Sequence, residues 1–159
     1  MGYKVEIERK FLVHRKRLPA LENGAHLVQG YLGTRPTVRV RTEELAHAKK
    51  AYLTIKGEGL VGRDEFEYDI PFADGEALLK LANSALVAKK RYRLPVPGQP
   101  DLAWEVDVFE GENAGLIVAE LEMPDADHTF PRPDWLGDDV TEDPAYKNSA
   151  LSQHPFSRW

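Results

Sequence analysis

Charged side chains recur at every second residue along most of this chain, and that alternation limits its fold more than any other feature. Between residues 3 and 13, Lys4, Glu6, Glu8 and Lys10 share one face. Val5, Ile7, Phe11 and Val13 lie mostly on the other, with Arg9 interrupting the apolar set. A period of two is a strand's period, because successive side chains leave an extended backbone on opposite faces. The pattern returns at about 27–33, 37–42, 51–57, 63–71, 87–95, 102–109 and 116–123. Turn formers separate the runs, at Gly33 to Pro36, Gly57 to Gly62, Pro95 to Pro100 and Gly111 to Gly115. Eight strands with mostly short connections predict an antiparallel sheet. Eight is also the number at which a sheet closes naturally, and closure removes its exposed edges. The expected fold is therefore mainly β (α+β), an eight-stranded antiparallel closed β-barrel with a few flanking helices. An eight-stranded sandwich or half-open sheet is the alternative.

Two segments read as helices. Asp74 is placed to cap one carrying Leu78, Leu79, Leu81, Ala82, Ala85 and Leu86 at helical spacing. A second is expected over roughly Ala145 to Gln153. Between them, residues 124–144 are rich in Pro and Asp, and Trp135-Leu136 reads as a short docking turn. The 159 residues suit one domain, 1–159, with a sizeable core. A net charge of -5 argues against a generic binder of nucleic acid or anionic membranes, so neither is expected as a partner. There are no cysteines, which excludes disulfides, thiolate metal sites and a cysteine nucleophile. The opening Met1-Gly2-Tyr3-Lys4-Val5-Glu6 lacks a signal peptide's apolar stretch, and no run of about 18 apolar residues exists. Cytoplasm is the expected location.

The polar face of each strand carries the chemistry. The first run offers Glu6, Glu8 and Lys10, the third Arg39 and Arg41, and the fourth ends in Lys56. The fifth offers Glu65, Glu67 and Asp69, the sixth Lys89, Arg91 and Arg93, the seventh Glu105 and Asp107, and the eighth Glu120 and Glu122. A solvated strand face normally mixes in Thr, Ser and Gln, which suit strands better than Glu, Asp and Lys. Here the alternate positions are almost purely charged, with signs blocked by strand. A surface gains nothing from such repulsion, whereas a lumen holding a metal and a polyanion does. Magnesium takes oxygen ligands and usually only a few carboxylates, and Glu6, Glu8, Glu120 and Glu122 supply them if the first and last strands pair. Manganese is the substitute ion. Lys10, Arg39, Arg41, Lys56, Lys89 and Arg91 would bind phosphate oxygens, the arginines as bidentate forks. So many cations exceed the need of one phosphate and suit several linked ones. Glu65, Glu67, Glu105 and Asp107 are further tunnel acids.

These residues also carry a family resemblance. Glu6-Ile7-Glu8-Arg9-Lys10-Phe11 resembles the N-terminal E-x-E-x-K signature of the CYTH superfamily, the triphosphate tunnel metalloenzymes. Gln29-Gly30-Tyr31-Leu32, Val38-Arg39-Val40-Arg41, Leu53-Thr54-Ile55-Lys56-Gly57 and Arg63-Asp64-Glu65-Phe66-Glu67 follow in the family's order. So do Lys89-Lys90-Arg91-Tyr92, Glu105-Val106-Asp107, Ala119-Glu120-Leu121-Glu122 and the ending Tyr146-Lys147-Asn148, so the match spans essentially the whole chain. The resemblance implies an eight-stranded tunnel in which basic residues hold triphosphate and glutamates hold a divalent metal. Members hydrolyse inorganic tripolyphosphate, thiamine triphosphate or nucleoside triphosphates, and a few are adenylyl cyclases. The short bacterial inorganic triphosphatases look most similar.

That resemblance implies metal-assisted attack of water on a terminal phosphorus, with Tyr31 and Lys56 at the positions of the family's water-activating Tyr–Lys dyad. A nearby ammonium lowers a tyrosine pKa toward the range a general base needs. Arg9 and Phe11 are expected to face outward and pack on helices, Trp104 to point away from the lumen, and Arg93 and Asp69 to lie at the rim. Tyr146-Lys147-Asn148 is expected to fix the C-terminal helix, with Lys147 able to reach the tunnel mouth. The five histidines show no ligand spacing. Competing readings are a cyclase or thiamine or nucleoside triphosphatase on the same scaffold, and a binding module for polyphosphate without turnover. No exposed apolar stripe demands a dimer, and a homodimer through the outer face stays open.

Overall fold

The alternation closes on itself. In the computed structural model, which describes residues 3–59 and 62–159, β1 (Tyr3–Val13), β2 (Ala25–Thr34), β3 (Thr37–Leu45), β4 (Ala48–Lys56) and β5 (Gly62–Ile70) come first. The helix α1 (Phe72–Leu79), the strands β6 (Val87–Val96), β7 (Gln99–Phe109), β8 (Ile117–Glu122) and β9 (Leu136–Asp139), and the helix α2 (Asn148–Gln153) follow. The hydrogen-bonded order is β5-β4-β3-β2-β6-β7-β8-β1-β9, and a further β1–β5 pairing closes eight strands into a barrel. Every pairing is antiparallel. β1 is the closing stave: its first half faces β5, with Glu6 opposite Arg63, and its second half faces β8, with Glu8 opposite Glu122 and Lys10 opposite Glu120. Part of the Gly57 to Gly62 turn, Leu60 and Val61, lies outside the described residues, as do Met1 and Gly2.

Strand parity assigns two apolar cores. Odd residues of β7 and even residues of β8 face inward, so Trp104, Val106, Ala119 and Leu121 face out. They pack with Phe11, Met123, Trp135 and Leu136 in a cluster covered by the 124–139 segment. Phe11, Phe130 and Trp135 all meet the Trp104 ring edge-on, at 5.4–5.7 Å between centroids. The second core fills one end of the barrel interior, where Val87, Phe109, Leu116 and Val118 meet Leu151 of α2.

Several local expectations change. Helix α1 starts at Phe72 behind Pro71, not behind Asp74, which sits in the first turn and favours the positive end of the helix dipole. It ends at Leu79, and the residues beyond it lie against β2, where a Cβ on Gly30 would come within 2.9 Å of both Ala82 and Leu86. The expected 145–153 helix is a 3₁₀ turn, Pro144–Tyr146, followed by α2. Trp135 does dock, but Leu136 begins β9, an unforeseen strand on the outer edge of β1. Phe11 accordingly packs on the 124–139 segment and not on a helix, and Arg9 pairs with Asp139 of β9.

Gly75 shows how closely α1 sits on the barrel. A Cβ there would lie 2.6 Å from the Ala51 Cβ and 3.2 Å from the Thr42 Cγ2. Helix propensity favours Gly75→Ala by about 1 kcal/mol, but overpacking of this kind costs about 1–3 kcal/mol. The crowding wins, and Gly75→Ala is expected to lower the melting temperature by a few degrees, where propensity alone would raise it.

Candidate active site

The inward positions of the barrel enclose a polar cavity of about 170 Å³, lined by side chains from all eight barrel strands and by Lys147, Asn148 and Ser149. Every acid and base expected in the lumen except Asp107 lines it, and Asp107 lies immediately behind, fully buried under Lys89 and Arg91. The charged faces are thus inside and the apolar faces outside, an inversion that parity alone produces once the sheet closes.

Ion pairs cross the lumen. Lys56 Nζ donates to both carboxylate oxygens of Glu6, at 3.0 and 2.9 Å, and lies 3.3 Å from Glu65. Arg63 Nε donates to Glu6 at 3.1 Å. Burial opposes ionisation of Glu6, but Lys56 and Arg63 hold its pKa well below the usual carboxylate range. Lys89 meets Asp107 at 2.7 Å, and Arg91 forks onto the same carboxylate at 2.7 and 2.8 Å. Burial outweighs Asp107 at Lys89 and lowers its pKa to about 8. Glu120 is likewise held well below the usual range, burial being overcome by Lys10, Arg91 and Lys89. Glu122 sits at the mouth, half-exposed, in a pair with Lys4.

Two observations bear on what the cavity holds. Arg39 and Arg41 each keep a buried Nε with no hydrogen-bond partner among the described residues. Among the described residues Arg39 otherwise reaches only Thr54 at 3.3 Å and Glu67 at 3.7 Å, and Arg41 reaches Glu43 at 2.7 Å. Burial, then Arg39 and Arg91, lower the Arg41 pKa, so these cations crowd one another. On the opposite wall Glu8 receives no ion pair among the described residues. Burial, then Glu120 and Glu6, push its pKa up to about 8. Surplus donors face surplus carboxylates across one cavity.

No three His, Asp or Glu side chains among the described residues are gathered closely enough to enclose an ion as they stand. The donor set nonetheless fits a hard divalent cation. Glu6, Glu8 and Glu120 are all-oxygen donors on the adjacent strands β1 and β8, and Glu8 is crowded by like charge that a cation would neutralise.

Tyr31 lies inside, 5% exposed, and its hydroxyl oxygen accepts from Gln29 Nε2 at 3.4 Å. Its pKa is raised, not lowered as expected. Lys56 is taken by Glu6 and Glu65, and burial raises the Tyr31 pKa against the opposing influence of Arg39, Arg63 and Arg41. Arg93 and Asp69 are at the rim. Trp104 is outside the lumen.

The structure adds residues to the expected set. Arg63 shares parity with Glu65 and Glu67, so the alternation already pointed to it, and Lys4 bridges Glu65 and Glu122 at the mouth. Gln29 and Thr54 occupy inward positions but carry no charge, so the alternation of charge does not mark them. Asn148 was expected only to fix α2, yet its Oδ1 accepts from Lys89 at 2.9 Å and from Gln29 at 2.8 Å. Lys147 does reach the mouth, where its Nζ donates to the Gly59 carbonyl at 3.4 Å.

The model of the CYTH domain matches residues 4–154. The chain belongs to the CYTH family. Among CYTH relatives, the inorganic triphosphatase of Acetivibrio thermocellus is 39% identical over 158 residues, covering 97% of both chains. The inorganic triphosphatase of Nitrosomonas europaea is 38% identical over 151 residues, 92% of this CYTH chain and 96% of its own length. The crystal structure of the inorganic triphosphatase NE1496 superposes with a TM-score of 0.63 at 35% identity, covering 92% of this chain and 93% of that one. Among the described residues no helix is long and apolar enough to cross a membrane.

Proposed function

We propose that this CYTH chain is a magnesium-dependent hydrolase of linear triphosphates, acting on inorganic tripolyphosphate to give pyrophosphate and phosphate, with manganese able to replace magnesium. The observation that carries the reading is the pair of guanidinium nitrogens, on Arg39 and Arg41, that have no partner among the described residues, inside a cavity walled by cations from five strands. Buried donors in folded proteins are nearly always paired, and a chain of phosphate oxygens is an acceptor set of matching charge and extent. The cavity's 170 Å³ is small beside the roughly 300–1,000 Å³ of sites for drug-sized organic ligands, which favours a substrate without a nucleoside or thiamine. The names of the two relatives point the same way. A cytoplasmic location without membrane or nucleic-acid partners suits a small ionic substrate; a homodimer would use the outer face and leave the lumen unchanged.

Lys10, Arg39, Arg41, Lys56, Lys89 and Arg91 bind the phosphate oxygens, and Glu6, Glu8, Glu120 and Glu122 hold the metal. A bound divalent cation supplies neutralisation of the charge on the transferring phosphoryl group. The water oxygen bonds to the terminal phosphorus, the bridging P–O bond breaks, and pyrophosphate leaves with the electron pair. The proton of the water passes to the Tyr31 oxygen, with Lys56 as its dyad partner. Burial keeps that phenol mostly protonated near neutrality, so its ionised fraction grows roughly tenfold per pH unit below its pKa. At saturating substrate kcat is therefore expected to climb from pH 7 to 9, while loss of the Lys89 proton near pH 8 weakens substrate binding in the same window.

Phosphate release from tripolyphosphate, ATP and thiamine triphosphate, with magnesium, manganese or a chelator, tests the whole reading. Tripolyphosphate is expected to be fastest and the chelator to abolish release; faster release from ATP, or cyclic AMP as product, would reverse the substrate order. Tyr31→Phe is expected to lower kcat about 10²–10⁴-fold, the range for losing a general base, and to flatten the pH profile. Unchanged turnover in that variant would remove the dyad and leave the binding reading standing.

A further inference from the structure

Two side chains, Asn148 and Gln29, link the buried ammonium of Lys89 to the hydroxyl of Tyr31, and donor–acceptor counting leaves the chain one orientation. Lys89 Nζ lies 2.9 Å from Asn148 Oδ1. An ammonium only donates, so Asn148 has to turn its carbonyl oxygen, and not its amide nitrogen, toward the lysine. Gln29 meets that same oxygen at 2.8 Å and must present an N–H to it. The second N–H of the Gln29 amide then faces the Tyr31 hydroxyl oxygen, 3.4 Å away. Tyr31 accepts this bond, and its own proton is left to the cavity the residue lines. Gln29 is fully buried, and its Oε1 has no partner among the described residues. A buried carbonyl oxygen without a donor is unfavourable, so Gln29 keeps this orientation because its neighbours impose it.

We propose that Gln29 and Asn148 are positioning residues for hydrolysis: Asn148, anchored on Lys89, fixes the Gln29 amide so that an N–H rests on the Tyr31 oxygen and the hydroxyl proton faces the phosphate cavity. The inference rests on the reading of Tyr31 as the group that activates water, and extends it to two uncharged residues. A donor held on the phenol oxygen favours the ionised form that takes the proton. Asn148 opens α2, so the C-terminal segment is part of the reacting apparatus and not only a brace.

The test is steady-state hydrolysis of tripolyphosphate by the full chain, in the wild-type and Tyr31→Phe backgrounds. Gln29→Leu keeps the volume and removes both N–H groups. It is expected to lower kcat roughly ten- to a hundredfold, the effect of one hydrogen bond to a charged group, with KM changed by less than about threefold. In the Tyr31→Phe background the same substitution is expected to have almost no further effect. Asn148→Ala is expected to lower kcat in the same way, and Asn148→Asp, whose oxygens accept from both partners, to recover most of that loss. Should Gln29→Leu fail to fold, the two Asn148 variants make the comparison by themselves. A kcat loss of equal size with and without the Tyr31 hydroxyl, or a loss confined to KM, overturns the proposal. A fall with Tyr31→Phe but none with Gln29→Leu overturns the proposal alone, whereas unchanged turnover in Tyr31→Phe overturns the Tyr31 reading with it.

Discussion

Asp107→Ala is expected to destabilise the barrel by about 3–5 kcal/mol, the cost of removing one partner from a buried ionic cluster. For a domain of this length that corresponds to roughly 6–20 °C in melting temperature. Asp107 is fully buried, and its two oxygens take Lys89 at 2.7 Å and the Arg91 fork at 2.7 and 2.8 Å. Without it, Lys89 and Arg91 stand against each other with only the weaker compensation of Glu105, 3.3 Å from Arg91, and of Glu120. Burial already lowers Lys89 to about 8 while Asp107 is present, so removal of the carboxylate lowers it further and Lys89 sheds its proton near neutral pH. The damage is one of charge, which makes it specific. Pyrophosphate or tripolyphosphate added with a chelator, so that binding proceeds without turnover, is expected to restore part of the lost melting temperature by returning negative charge to the same cations. Thermal melts of the variant with and without the anion check both statements, and a change below about 2 °C in the ligand-free protein would show that Asp107 is not the counter-charge that holds this wall.

The contrast between what the alternation revealed and what it hid follows from side-chain chemistry. Period two assigns each residue to a face without naming which face is inside. The blocked signs on Glu6, Arg39, Glu65, Arg91 and Glu120 settled that, because a surface has no use for such repulsion. Those residues all reach the lumen. Arg63 obeys the same rule, two positions before Glu65 on the inward face of β5. Gln29 and Asn148 could not be found this way. One is a neutral residue at an inward position, and the other lies more than fifty residues beyond its partner Lys89, brought there by a 3₁₀ turn and a short helix. β9 was hidden for a related reason: four residues, Leu136–Asp139, are too few to display a period, and the strand exists because β1 offers it an open edge. The direction of the Tyr31 pKa is not legible in the sequence, because position along a strand does not report how deeply the closed barrel buries the phenol, which raises its pKa against Arg39, Arg63 and Arg41.

Arg41→Ala is expected to have the opposite profile to Asp107→Ala, with turnover lost and the fold kept. Arg41 is a half-buried cation whose only ion pair among the described residues is Glu43 at 2.7 Å, a carboxylate with solvent access of its own. Its Nε is unpaired, and burial together with Arg39 and Arg91 lowers its pKa, so the folded chain carries this charge against its neighbours. Truncation removes that repulsion and leaves Glu43 to water. Stability is expected to change by about 1 kcal/mol or less, because relief of the repulsion offsets loss of the Glu43 pair and of the contact with the Tyr52 ring, 5.3 Å from the guanidinium. Activity is a different matter, because a preorganised donor aimed where charge develops is worth about 10²–10³-fold in rate. A loss of that order in kcat/KM for tripolyphosphate is expected for Arg41→Ala, and a larger one when Arg39→Ala is added. Arg41→Lys separates charge from geometry: a lysine keeps the positive charge but cannot form the planar two-pronged contact, so it is expected to recover only part of the loss. Melting curves and kinetics on the same preparations decide the matter. Residues kept for the fold lose both properties together, whereas a cation retained at the expense of its surroundings loses only the one it is there to serve.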